Sequence, residues 1–155
     1  MPVVRYGATQ ARLVGGEARA TWAAAHLAVV GEADYVDARD QNAAQPLPGI
    51  PPARWIVGTS WRDLTVGSVA HATLGAEIEG QGRTTRPAPH EEAAAPYALL
   101  HLGADLAFSR GDLALNLGLH VRNVTDVHYR DFLASDPLIA QSEGRSFELR
   151  FSASP

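Results

Sequence analysis

The chain has 155 residues, with 17 acidic against 13 basic side chains and a formal net charge of -4, so it lacks the basic field that nucleic acid or anionic lipid surfaces select. It holds no cysteine, which excludes disulfides, thiol nucleophiles and thiolate metal sites. No apolar run reaches the ~18 residues of a membrane helix, and residues 1 to 11 lack the apolar centre of a signal peptide; a β-barrel needs no such run.

Period-two alternation predicts seven strands, at 9 to 24, 26 to 37, 53 to 62, 65 to 80, 94 to 109, 112 to 125 and 145 to 153. In the first, Ala18, Ala20 and Trp22 alternate with Glu17 and Arg19. The second places Leu27, Val29, Ala33 and Tyr35 on one face and Glu32 and Asp34 on the other. The third and fourth pair Trp55, Val57 and Trp61 with Val66, Ala72, Leu74 and Ile78, against Arg54, Arg62, His71, Glu77 and Glu79. In the fifth and sixth, Leu100, Leu102, Leu106 and Phe108 hand over to Leu113, Leu115, Leu117, Leu119 and Val121, opposite His101, Asp105, Asn116, His120 and Arg122. The seventh sets Glu148 and Arg150 against Phe147, Leu149 and Phe151. The apolar face changes parity at each short turn, as a two-residue hairpin requires. Short turns are expected at Ala24-Ala25, Asp63-Leu64 and Arg110-Gly111, and long polar links over 37 to 52, 80 to 95 and 126 to 144.

One face free of charge through the middle of each strand, with turns short on one side and long on the other, is the pattern of a wall between lipid and a polar lumen. The fold class read from it is all-β: an antiparallel, up-and-down transmembrane β-barrel segment of seven or eight strands, a partial barrel in the bacterial outer membrane. Trp22, Trp61 and Phe108 lie beside the three short turns and Phe151 ends the last strand, together resembling one membrane girdle, while Tyr35 and Trp55 flank a long link and are expected in the other. Bacterial single-chain barrels close with an even number of strands, so an odd count implies the C-terminal part of something larger. A small closed barrel of eight strands is the variant in which 3 to 6 pair with the final strand. The rival from another class is a soluble antiparallel β-sandwich acting as a binding module, its apolar face packed on a second sheet.

Three stretches carry a family resemblance. Gln10 to Glu17 holds a Gly-x-Glu element, Leu47-Pro48-Gly49-Ile50-Pro51-Pro52-Ala53-Arg54 reads as a loop-to-strand entrance, and Asn123-Val124-Thr125-Asp126-Val127-His128-Tyr129 is followed by Gly144-Arg145-Ser146-Phe147-Glu148-Leu149-Arg150-Phe151. Together they resemble the C-terminal barrel region of TonB-dependent outer-membrane receptors, over nearly the whole chain. The resemblance implies uptake of a siderophore, metal or similar scarce nutrient. Its implied partners are outer-membrane lipid, a small-molecule or metal-chelate ligand, a plug domain with the remaining barrel strands, TonB through that plug, and the barrel-assembly machinery through the C-terminal strand. The sequence departs from the family in carrying Ser152 to Pro155 beyond the closing Phe151 and in showing neither plug nor TonB-binding box. Active transport by this chain alone is therefore not implied.

Pro51 and Pro52 lack amide donors and suit a strand entrance, while Asn123 and Asp126 are residues that turn the backbone through their own side chains. Counting from the Arg110-Gly111 turn puts His101 directly across from His120, with Cβ atoms ~5 Å apart. With His71 on the neighbouring strand they are the candidate metal ligands. His90, Glu91 and Glu92 are the candidate ligand-loop residues. The same counting sets Asp105 opposite Asn116, and Glu17 opposite Glu32 with Arg19 diagonal, as a lumen network. Gly58-Thr59-Ser60 lacks the second glycine of a nucleophile elbow, and no phosphate loop or HExxH occurs, so neither an enzyme nor a cofactor is expected.

Overall fold

The computed structural model describes residues 8–67, 70–132 and 142–155. Eight antiparallel strands form one open sheet: β1 (Ala11–Ala24), β2 (Leu27–Asp40), β3 (Gln45–Pro46), β4 (Arg54–Val66), β5 (Ala70–Gln81), β6 (Tyr97–Arg110), β7 (Leu113–Arg122) and β8 (Ser146–Ser154). The order is β1-β2-β4-β5-β6-β7-β8, with the two-residue β3 folded back on the end of β2. Among the described residues β1 and β8 are the outer strands, and the sheet does not close on itself. A cavity of about 640 Å³ touches all seven long strands, from Arg19 to Arg150, so the sheet curls around its polar side. Among the described residues no second sheet or helix covers the other side. That arrangement is a partial barrel and leaves no sandwich core; the eighth-strand variant needs residues 3 to 6, which lie outside the described residues.

Seven predicted strands match the seven long ones. β3 was not expected: it forms because Asp40 Oδ1 accepts the N–H groups of Asn42 and Ala43 at 2.8 and 3.0 Å, turning the chain back after β2. Pro46 sits there on a strand edge, where its missing donor does no harm.

The turns correct the expected register. Ala24 pairs with Leu27 and Arg110 with Leu113, so the turn residues are Ala25-His26 and Gly111-Asp112, one position later than counted. Ala25 has φ 46 and Gly111 φ 63, and a positive φ at the first central position is the II′ pattern that favours glycine there. Each hairpin consequently slides by two. Glu17 faces Asp34 rather than Glu32, Arg19 faces Glu32, and Asp105 faces Gly118 rather than Asn116. The third turn differs in kind. β4 runs through Asp63-Leu64 and the chain turns between Val66 and Ala70, at Gly67 with φ 67. The parity switch happens at a bulge between Trp61 and Leu64. Asp63 takes φ 56 there, a conformation that the short polar side chains of Asp and Asn tolerate better than most.

The apolar face is bare. Trp22, Val57, Trp61, Leu119, Leu149 and Phe151 are all exposed, against the usual fate of such residues in a water-soluble domain. Burial concentrates instead at the long-link end, where Ala38, Gln81, Ala88, Leu99 and Asn123 are enclosed. Those links form a mouth with a small core of its own.

Candidate functional site

The polar face is a set of paired charges, built because alternate residues of adjacent strands meet at fixed register. Arg19 reaches Glu32 at 3.0 Å, Arg54 reaches Asp34 at 3.1 Å, and Arg150 holds Glu148 on its own strand at 2.6 Å. His120 Nε2 lies 3.1 Å from Asp105 Oδ1. Two glycines make that pair possible. A Cβ on Gly103 would stand 2.8 Å from His120 Nδ1, and one on Gly118 would stand 2.6 Å from Asp105 Oδ1, so each side chain lies over the glycine opposite.

The candidate metal trio is not brought together. His120 faces Gly103, which displaces it from His101 by one step of the hairpin. His71 faces Thr65 and Ala107 near the short turns, whereas His101 faces Glu77. The structure gathers a different group: Glu77, Glu79 and His101 offer one ligand atom each, all within 4.8 Å of one another. His101 Nε2 is 3.3 Å from Glu79 Oε1, and its Nδ1 accepts the Asn123 N–H at 3.3 Å. The β5–β6 register that forms this set is made across the long 82–96 link, where no short turn fixes the count; the Glu77-x-Glu79 spacing, which puts both carboxylates on one strand face, was the available signal.

At the mouth, Asn123 turns the chain as its residue type foretells. Its Nδ2 donates to Val127 O and its Oδ1 accepts the Val127 N–H, both at 2.9 Å, with φ 49. Asp126 Oδ1 accepts the Arg145 N–H at 2.8 Å, tying the start of the last link to its end. Tyr129 stacks on Tyr97 with centroids 4.4 Å apart, and burial, followed by the charge of Glu79, pushes the Tyr129 phenol above its ordinary value. Leu99 lies beneath this roof although its parity belongs to the polar face. The sequence signal was a loss of alternation over Tyr97, Ala98, Leu99 and Leu100.

The three ligand-loop candidates line a mouth cavity of about 990 Å³, with His128, Tyr97 and Tyr129. Their roles diverge. Glu91 gives one oxygen to the Gly49 N–H at 2.8 Å and the other to the Ala88 N–H at 2.9 Å, binding two long links together. Glu92 faces Arg130 at 3.8 Å. His90 is exposed with φ 69, and His128, a residue of the motif from Asn123 to Tyr129, lines the same cavity.

The fold and this lined polar face define an antiparallel partial β-barrel. No family model and no curated protein sequence matches the chain. Among solved structures it is similar to the copper transporter OprC, with a TM-score of 0.72 and 17% identity over 94% of this chain. The match takes in 23% of the OprC chain, so the likeness is to a segment of that transporter and concerns the fold.

Proposed function

We propose that the chain is a wall segment of the barrel of a TonB-dependent outer-membrane receptor, the kind that takes up a siderophore, metal or similar scarce nutrient. The observation that carries this reading is the bare apolar face, running from Trp22 on β1 to Phe151 on β8 and uncovered among the described residues. Hydrocarbon is the natural cover for such a face, and the aromatic residues beside the turns are its interfacial rim. The ordered motifs at 47 to 54, 123 to 129 and 144 to 151, the turn asymmetry and the likeness to a segment of a transporter support the same reading. In it, the charged stripe faces the lumen and a plug, and the mouth cavity with His90 and His128 meets the ligand first. The edges of β1 and β8 join the remaining strands, the latter recognised by the barrel-assembly machinery, and TonB acts through the plug.

Fractionation tests it. Expressed in a Gram-negative host, the chain is expected in the detergent-extracted outer-membrane fraction, resistant to a urea wash. Recovery as a monomer in plain buffer would overturn the proposal and return the apolar face to a soluble partner.

A further inference from the structure

One group of metal-ligating side chains on the polar face is left with a buried ring nitrogen that has no hydrogen-bond partner. Glu77 and Glu79 project from the same face of β5, and His101 faces Glu77 from β6. We infer that these three side chains bind one divalent cation of borderline or hard character, such as Zn2+ or Mn2+. The site stands on the β5–β6 register and its donor set, and goes beyond the receptor reading.

The geometry of His101 is the first support. Its Nε2 is buried and has no hydrogen-bond partner, although Glu79 Oε1 is 3.3 Å away; the carboxylate is near the ring nitrogen but out of line with its N–H. Donors about 2.0–2.1 Å from a tetrahedral ion stand roughly 3.3 Å apart. His101 and Glu79 therefore already keep the separation of two ligands on one ion. Charge is the second support. Glu77 makes no ion pair or hydrogen bond among the described residues, and it shares its strand face with Glu79. A cation between two carboxylates removes their repulsion. Access is the third: Glu77 and His101 both line the cavity of about 640 Å³, and Gly58 leaves the space beside Glu77 open, a Cβ there lying 3.6 Å from Oε2.

The donor set also selects the ion. The chain has no cysteine and its one methionine is Met1, so soft sulfur ligands for Cu(I) are missing from the site. One imidazole and two carboxylates match Zn2+ or Mn2+. Binding has a cost written into the structure. Because the Asn123 N–H donates to Nδ1, the neutral ring carries its proton on Nε2. A cation at Nε2 moves the proton to Nδ1, where it confronts the Asn123 N–H, and that contact is lost. The site is thereby coupled to the turn at the mouth. Three protein donors leave coordination positions open, which suits an ion that enters and leaves.

Titration of the refolded 155-residue chain in detergent micelles with Co2+, read by its visible absorption, and then with Zn2+ as competitor, tests the site. One equivalent of Co2+ is expected to develop a saturable band that Zn2+ abolishes, while the Asn123 amide resonance shifts. Glu77→Gln and His101→Gln are expected to weaken binding at least about tenfold, the size that even an outer-shell change produces, and His71→Gln to leave it unaltered. Glu77 is exposed, so its variant keeps the fold, and circular dichroism checks the His101 variant. No saturable band, or one that survives both substitutions, overturns the inference. Fractionation is blind to these residues, so the site and the receptor reading fail separately.

Discussion

Leu119 and Leu149 face each other across β7 and β8 and are 49% and 72% exposed, whereas Leu99, on the polar parity of β6, is 1% exposed. In a soluble domain the order would be reversed. The two settings show that alternation reports the direction in which a side chain points, and that what covers it is decided elsewhere. Along the wall, protein supplies only the hydrogen-bonded ladder and leaves the apolar cover to its surroundings. At the mouth the chain builds its own cover from loops, where the buried Asn123 side chain is answered by the Val127 backbone.

Substitutions that act on one region alone sharpen this contrast. The largest effect is expected on the bare face: Leu119→Arg, in chain reconstituted into lipid vesicles, should lower unfolding stability by about 2–4 kcal/mol. Asn116→Arg on the opposite face of the same strand should change it little. Equal losses in urea titrations of the two variants would mean that lipid does not discriminate the faces. Asn123→Ala removes both bonds to Val127 and leaves a residue with φ 49 to adopt, a loss of about 2–3 kcal/mol from an unanswered buried group and left-handed backbone strain. Hydrogen exchange should quicken at Val127 and Arg145 while the β4 and β5 amides keep their protection; softening of both together would show that wall and mouth unfold as one. Next comes Gly118→Ala, whose Cβ displaces Asp105 and should separate it from His120, costing about 1–2 kcal/mol. The imidazole resonances of His120 report that separation directly. The smallest effect is a gain: Ala25→Gly relieves a φ of 46 and should raise stability by about 1 kcal/mol, read as a higher urea midpoint with an unchanged slope.

The wall was legible because its determinants are local. Parity, the charge-free face and the strand spans follow from residue order alone, and so did the turn built by Asn123. Register was not, since a shift of one residue in the corner slides every cross-strand pair by two; Gly111 rather than Arg110 takes the positive φ, and His120 thereby meets Gly103, while the pairing of His101 with Glu77 is made across the long 82–96 link, where no short turn fixes the count. The mouth was least legible. Glu91 looked like a free ligand because its partners, the amides of Gly49 and Ala88, carry no sequence signature.

The seven long strands alternate in direction, so β1 and β8 run the same way. Any complement that seals the gap with antiparallel seams on both sides must contribute an odd number of strands. An even-stranded complement would force one parallel seam, which pairs slightly less well per residue and admits no tight hairpin connection. Under the receptor proposal, the parity of the strand count that completes the barrel is thus set by the rims of β1 and β8.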